Sequence, residues 1–418
     1  MKMNSTKIQT KYSYLNSIPL AWKTSFVKYL GKYINGYPFK PDDWSNQGKP
    51  ILRIQNLSNP NADFNRYEGE IPKDYLVHKG DILISWSASL GVYKWLGEDS
   101  WLNQHIFKVE INYDLVCDEY FIWLASWFVE ELAHKAHGST MQHLTSNAFG
   151  SFPVLLPPIS EQEAIAHYLD KETAKIDELI KIKKRLLELL DEKRRALITH
   201  AVTRGLNPNV PMRDSGVEWI GEIPKHWEVE FAKWLFKEID ERSITGQEEL
   251  LTVSHITGVT LRSEKDVNMF MAESMEGYKV CQSGDLVINT LWAWMGAMGV
   301  SFKPGIVSPS YHVYRPMGKY HQVYLDYLVR ISIFAEEAIR YSKGVWISRL
   351  RLYPEEFFQI LLPVPSFEEQ EEIAKYLIQE TQKLDHLSIA TKKTIEFLQE
   401  RRTALITAAV TGQIKIKE

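Results

Sequence analysis

The chain has 418 residues, 44% hydrophobic and 24% charged, the balance of an ordinary globular protein with about two to four domains. It has no apolar run of about 18 residues, so no membrane span is expected, and its start, MKMNSTKIQTKYSY, lacks the apolar core of a signal peptide. A net charge of −4 and an isoelectric point near 6.3 argue against a free-standing, tight nucleic-acid binder. The two cysteines, Cys117 and Cys281, can frame neither a disulfide scaffold nor a cysteine-type zinc site, which fits a reducing cytoplasm.

In chain order, Ser17-Ile18-Pro19 ahead of Trp22 opens a region of short β-rich runs and Gly, Pro and Asn turns that extends to about residue 155. Within it, Lys79-Gly80-Asp81 reads as a turn entering a strand over Ile82–Ser85. The polar and aromatic loop Trp86-Ser87-Ala88-Ser89 follows. Residues 115–137 predict an amphipathic helix, and Gly138-Ser139-Thr140-Met141-Gln142-His143 a second polar loop. Pro157, Pro158 and Ser160 then signal a helix start. From Glu161 to Thr203 there is no Pro or Gly, and apolar residues recur with 4-3 spacing at Ile165, Leu169, Ile176, Leu179, Leu186, Leu190 and Leu197. That is a heptad seam, interrupted by Glu172, Lys183 and Lys193. About 43 residues of helix span roughly 65 Å. Gly205 marks the stop, and the Gly-, Pro- and Asn-rich stretch 205–227 reads as a connector.

Past the connector the pattern starts again. Glu222-Ile223-Pro224 ahead of Trp227 echoes the first start, and Ser283-Gly284-Asp285 with Leu286–Asn289 echoes the turn and strand. Asn289-Thr290-Leu291-Trp292-Ala293-Trp294 is the matching loop, and 321–341 the matching helix. The stretch from Arg340 to Arg351, RYSKGVWISRLR, carries Arg340, Lys343, Arg349 and Arg351 with no acid. A solvated face and a contact surface are both open for it, and Tyr341 and Trp346 favour contact. Pro363, Pro365 and Ser366 precede a second long helix, with Ile373, Leu377, Leu384, Leu387, Leu398 and Leu405 at the equivalent seam positions and Gly412 near its end. The segment from Glu369 repeats that from Glu161 without a gap, an offset of 208, and about half of the positions are identical. A period this long is two copies of one unit rather than a solenoid array, and duplicated units commonly pack about a pseudo-twofold axis. Two such helices can pack antiparallel, burying both seams and setting the globular units at opposite ends of a rod.

Chemistry-bearing motifs are missing from the chain. It has no GxxxxGK[ST] phosphate loop, no GxGxxG after a strand, no HExxH and no GxSxG. The Asn-Pro-Pro-aromatic stretch of base methylation is absent too. The histidines of Asn103-Gln104-His105 and Tyr311-His312 read as packed or hydrogen-bonded residues. What remains is polar and aromatic loops, whose Gln, Asn, Ser, Thr and Arg side chains suit base edges in the major groove.

LLPPISEQ into a helix ending RRALITHAVTRG, the connector DSGVEWIGEIPKHWEV, and a second copy with Pro363, Pro365, Glu369-Gln370 and RRTALITAAVTGQI together resemble the specificity subunit of type I restriction–modification systems, over essentially the whole chain. The first domain departs from the pattern at Ser17–Trp22, which is not a full copy of the connector sequence. The resemblance implies an α+β protein with a first target recognition domain at 1–155, a long spacer helix at 156–205, a connector at 206–222, a second recognition domain at 223–362, and a second spacer helix and tail at 363–418. The helices are expected to form an antiparallel coiled coil that fixes the gap between the halves of a bipartite, asymmetric duplex DNA target. Two methyltransferase subunits and motor–nuclease subunits are the implied partners. S-adenosylmethionine, ATP and magnesium would sit on those partners, none in this chain, and no catalytic or metal residues are assigned here. Base contacts are expected at Ser87, Ser89, Gln142 and His143 of the first domain, and at Asn289, Thr290, Trp292, Trp346, Arg349 and Arg351 of the second. Two other readings stay open: a coiled-coil adaptor that organises proteins without binding DNA, and an enzyme with an unrecognised site.

Overall fold

A computed structural model describes residues 13–16, 18–59, 62–87, 90–136, 149–265 and 274–416. The chain divides into two compact units, Met1–Lys184 with Lys393–Glu418, and Arg185–Lys392. The two cuts lie 208 residues apart, which is the offset of the sequence repeat. Each unit thus holds one globular fold, the first half of the long helix that follows it, and the second half of the other long helix.

In the first unit, β1 (Lys23–Phe26) pairs antiparallel with β10 (Pro153–Leu156). A four-stranded sheet has the order β2 (Gly31–Asn35), β9 (Ile106–Ile111), β6 (Ile82–Ser85), β7 (Gly91–Lys94). A second sheet has the order β4 (Arg66–Tyr67), β3 (Lys49–Leu52), β8 (Ser100–Leu102), β5 (Leu76–Val77), with β3 and β8 parallel. The domain helix Asp118–Ala136 buries Tyr120, Phe121, Leu124 and Phe128 in the same core as Val154 and Leu155 of β10.

The second unit has the same plan. After a β-hairpin of β11 (Met212–Asp214) and β12 (Glu222–Pro224), β13 (Glu228–Phe231) pairs with β22 (Leu361–Val364) as β1 pairs with β10. The sheet β14 (Phe236–Ile239), β21 (Tyr311–Pro316), β18 (Leu286–Asn289), β19 (Met298–Val300) matches the four strands of the first unit in order. β15 (Leu251–Ser254) pairs with β16 (Gly258–Leu261), and β17 (Lys279–Cys281) with β20 (Gly305–Val307). A parallel bridge from Leu250 to Ile306 takes the place of the β3–β8 pairing. The globular parts are therefore duplicated as the echoes in the sequence imply.

The shared turns follow from local chemistry. Gly80 and Gly284 sit at φ of 103° and 94°, where a side chain is strained. The next residue closes each turn: Asp81 accepts from the His78 N–H (2.8 Å) and Asp285 from the Gln282 N–H (2.8 Å). The long helices, Ile159–Arg204 and Phe367–Val410, end at Gly205 (φ 74°) and Gly412 (φ 69°).

One buried side chain fastens each long helix to its globular fold. Gln162 donates to the Leu115 and Pro157 carbonyls (2.9 Å each) and accepts from the Cys117 N–H (3.0 Å). Gln370, its repeat equivalent, donates to the Lys319 (2.9 Å) and Pro365 (3.0 Å) carbonyls and accepts from the His321 N–H (2.8 Å). Both side chains are fully buried.

The helices run antiparallel in each unit. In the first, Ile165 and Leu169 share a core with Ile406, Ala409 and Val410, and Asp177 pairs with Arg402 at 2.9 Å. In the second, Ala201 and Val202 share a core with Ile373 and Leu377, and Arg194 pairs with Asp385. Asp177 and Asp385 are repeat equivalents, as are Arg194 and Arg402, so one ion pair is made twice.

The structure corrects four expectations. Leu179 and Leu387 do not lie in the seam; they are exposed, and Ile180 and Thr173 of the first helix and Thr381 of the second are buried. The threonines fit because each hydroxyl donates to a carbonyl one turn back, Leu169 (2.6 Å) and Leu377 (2.7 Å). Lys183 does not interrupt the seam but continues the 4-3 spacing from Ile176 and Ile180 and is half-buried, as a lysine can be when its aliphatic stem packs and its ammonium reaches water. Stretch 321–341 forms two helices, Gln322–Val329 and Ser332–Tyr341, broken where Ile331 turns extended and Arg330 reaches the Ile256 carbonyl (2.8 Å). The connector itself carries the β11–β12 hairpin and buries Ile220 and Ile223. Pro363 belongs to β22, so the second long helix starts at Phe367.

Replacing Gln370 by Met keeps the volume but strips three hydrogen bonds from a buried position. We expect a loss of about 2–4 kcal/mol in urea unfolding of the full chain. A loss below about 0.5 kcal/mol would show that the amide is not what fastens the helix.

Candidate nucleic-acid interface

In the second unit β18 ends in a polar loop with two tryptophans. The Asn289 carbonyl oxygen of the side chain accepts from the Leu291 N–H (3.2 Å), and Trp294 donates to the Leu291 carbonyl (3.1 Å). Gly296, at φ 79°, ends a short 3-10 turn over Ala293–Met295. This frame holds Trp292 outward, half exposed, with its ring stacked on Trp294 at 6.4 Å and 15°. Asn289 and Thr290 themselves are buried, so they shape the loop rather than offer amide or hydroxyl to a ligand.

The basic stretch of this unit resolves into spent and unspent cations. Arg340 pairs with Glu218 (2.8 Å) and Glu337 (3.4 Å), and Lys343 with Glu356. The hydrogen bonds to Glu218 and to Glu356 raise the Arg340 and Lys343 pKa values, respectively. Arg351 is half-buried, donates to the Leu350 carbonyl (2.8 Å) and forms a backbone bridge with Lys343. That bridge closes a loop whose tip exposes Val345, Trp346 and Ile347, followed by an exposed Arg349. Among the described residues, the Arg349 guanidinium has no acidic partner. Trp292, Trp346 and Arg349 are thus the sequence-selected residues of this unit with surface to offer.

In the first unit Ser87 is buried at the end of β6, and Ser89, Gln142 and His143 lie outside the described residues. The structure shows instead a polar groove of about 680 Å³ lined by Trp44, Ser45, Asn46, Gln47, Phe64, Asn65 and Glu68. Sequence reasoning missed it because SNQG reads as an ordinary turn.

The remaining titratable groups are structural in character. His312 faces Glu238 (2.8 Å) and the buried Lys279 (3.5 Å), and His105 packs edge-on to Trp86 at 5.0 Å. Burial pushes the Cys281 thiol up to about 12, removing it as a nucleophile at neutral pH, and burial also raises that of Cys117. Among the described residues no cluster of His, Cys, Asp and Glu could hold a metal, and no helix is long and apolar enough to cross a membrane.

This architecture defines an internally duplicated α+β protein that presents one set of polar, aromatic loops per unit. Residues 19–189 match the type I restriction modification DNA specificity domain. The chain is 27% identical over 208 residues to the EcoBI specificity subunit of Escherichia coli, covering 49% of this chain and 44% of that protein. It is 22% identical to the MjaVIII specificity subunit of Methanocaldococcus jannaschii over 96% of this chain and 94% of that one. The fold is shared with a chain from a solved type I R-M system (TM-score 0.69, 13% identity, 95% of this chain and 100% of that chain). It is shared also with the HsdS subunit from Thermoanaerobacter tengcongensis (TM-score 0.55, 14% identity, 95% and 98%). The chain is thus similar in sequence and in fold to the type I specificity subunits.

Asn289→Ala should cost about 1–2 kcal/mol in chemical denaturation, because it removes a loop-closing bond at a buried position. Trp346→Ala should stay within about 0.5 kcal/mol of the unsubstituted chain. The reverse order would make Trp346 the structural residue.

Proposed function

We propose that the chain is the DNA-recognition subunit of a type I restriction–modification complex, reading a bipartite, asymmetric duplex target with one half per unit. The observation that carries this is the pairing of one framework with two sets of loops. Strand order, strand pairing and the glutamine clasp recur in both units, while the connections between strands differ. Matching frames hold two readers in equivalent settings, and different loops give them different half-sites. The DNA specificity domain matched by residues 19–189 supplies the substrate class.

On this reading the chain positions and reads DNA but performs no chemistry. Two methyltransferase subunits and the motor–nuclease subunits would dock on it in the cytoplasm, and S-adenosylmethionine, ATP and magnesium would be held by them. Trp292, Trp346 and Arg349 are the readers proposed for the second unit. Arg351, half-buried, and Asn289 and Thr290, buried, support the loops they stand in. An adaptor that never touches DNA has no use for the unpaired Arg349 beside exposed Trp346.

Methylome sequencing of cells expressing the chain with its methyltransferase subunit should reveal an asymmetric two-part motif; a palindromic motif would sink the two-reader reading. Arg349→Ala should relax one position of one half-site by about 1–3 kcal/mol if it contacts a base. A uniform loss with a smaller salt slope would place it on a phosphate instead. The chain alone, supplied with DNA and S-adenosylmethionine, should not turn over, and reproducible methylation by it would favour an enzyme.

A further inference from the structure

We infer that the groove between Trp44 and Glu68 is the base-reading site of the first unit, with the amides of Asn46 and Gln47 as its readers. The inference rests on the DNA-recognition reading above and names the residues that would carry it out in this unit.

The groove lies where the two units part company. β3 and β4 pair antiparallel as β15 and β16 do, yet the link between β15 and β16 is only His255–Thr257, whereas that between β3 and β4 runs from Arg53 to Asn65. The longer link is closed, not slack. Buried Asn56 donates to the Ala62 (3.3 Å) and Asp63 (3.2 Å) carbonyls and accepts from the Arg53 N–H (3.1 Å). Units that share a frame must discriminate through what they do not share, and this link forms one wall of the groove.

The facing wall is the turn Ser45–Gly48. The Ser45 N–H donates to the Arg66 carbonyl (2.9 Å), and the Arg66 N–H returns a bond to the Ser45 carbonyl (3.2 Å). The Arg66 guanidinium holds the Gly48 carbonyl (3.0 Å), and the Ser45 hydroxyl accepts from the Gln47 N–H (3.1 Å) and donates to Glu68. Gly48 sits at φ 87°, and a Cβ there would lie 2.2 Å from the Tyr67 carbonyl oxygen. The turn's backbone is therefore held at Ser45, Gln47 and Gly48. Among the described residues the side-chain amides of Asn46, Gln47 and Asn65 make no hydrogen bond, and Asn46 and Gln47 are exposed.

A rigid turn that offers two unspent amides has the chemistry of adenine recognition. One Asn or Gln can donate to N7 and accept from N6 of the same base. Preorganisation means that little order need be gained on binding. Beside the amides, Trp44 is 42% exposed and carries the Arg53 guanidinium 5.2 Å from its ring centre, a cation set at the groove's rim where a phosphate would lie.

The test uses the full chain co-expressed with its methyltransferase subunits, with the methylated motif read by sequencing. N46A/Q47A should leave methylation in place but make one or two positions of a single half-site degenerate, discrimination there falling about 5- to 150-fold. The other half-site is the internal control that the protein is folded and assembled. Q47E retains the turn and offers only acceptors, so it should shift the preferred base toward cytosine, whose N4 donates. An unchanged motif in both variants overturns the inference. So does a uniform loss at all sequences with a reduced salt slope, which would make the turn a phosphate contact. Failure of the unsubstituted complex to methylate any defined motif would strike at the DNA-recognition reading itself, a result separable from either of these.

Discussion

In each unit a buried amide gives a direction to the attachment of the globular fold to its long helix. A glutamine in the first turn of a helix would ordinarily face water. Here both of its polar ends are used up by backbone groups of the adjoining fold, three bonds in each unit. The partners are a carbonyl just ahead of the helix and the N–H and carbonyl at the start of the domain helix. Rotating the globular fold about the helix would leave those groups buried and unpaired, at roughly 1–3 kcal/mol each. An apolar contact could not impose that direction, because hydrophobic burial is not directional. On the DNA-recognition reading, a fold that offers its loops to a duplex at one angle gains from such a fastening.

The helices themselves obey a simpler rule. Antiparallel pairing of two similar helices brings each repeat position against the same partner type in both units. The acid at Asp177 meets Arg402 and the acid at Asp385 meets Arg194. These pairs are partly exposed, so each contributes at most about 1 kcal/mol and serves register more than stability. One set of residues thus solves the packing problem twice, which accounts for helices that stay about half identical while the loops diverge.

The legible parts of this chain were those governed by short-range rules. Absence of Pro and Gly from Glu161 to Thr203 fixed the long helix to within two residues of Ile159–Arg204, and Gly-Asp pairs announced both strand-entering turns. Seam assignment was poorer, because Leu179 and Ile180 are equally apolar and only the packing chooses Ile180. Side-chain direction at strand ends was not legible at all. Ser87, Asn289 and Thr290 look like loop polar residues, yet backbone pairing turns them inward. The basic run looked uniform, but Glu218, Glu337 and Glu356, distant or nearby in sequence, neutralise Arg340 and Lys343, while among the described residues no acid pairs with Arg349 or Arg351. Long-range pairing of this kind leaves no local pattern to read.

That neutralisation also bears on how an acidic chain can serve a polyanion. Affinity for DNA that ignores sequence comes from cations free to displace counterions, about one per phosphate contacted. In this chain many cations are committed internally: Arg315 to Asp285, Arg330 to Asp326, Arg242 to Asp240, and both seam arginines to aspartates. On the DNA-recognition reading, that leaves fewer cations for arbitrary duplex, to be set against base contacts worth roughly 1–3 kcal/mol each. A reader built in this way has a high ratio of specific to non-specific binding but low absolute affinity. Genomic competition makes that ratio the quantity that matters, and the missing phosphate contacts can be supplied by subunits that need not distinguish one sequence from another. On that reading the formal charge of −4, which at first argues against nucleic acid, suits a recognition subunit in a larger complex rather than a binder that must work alone.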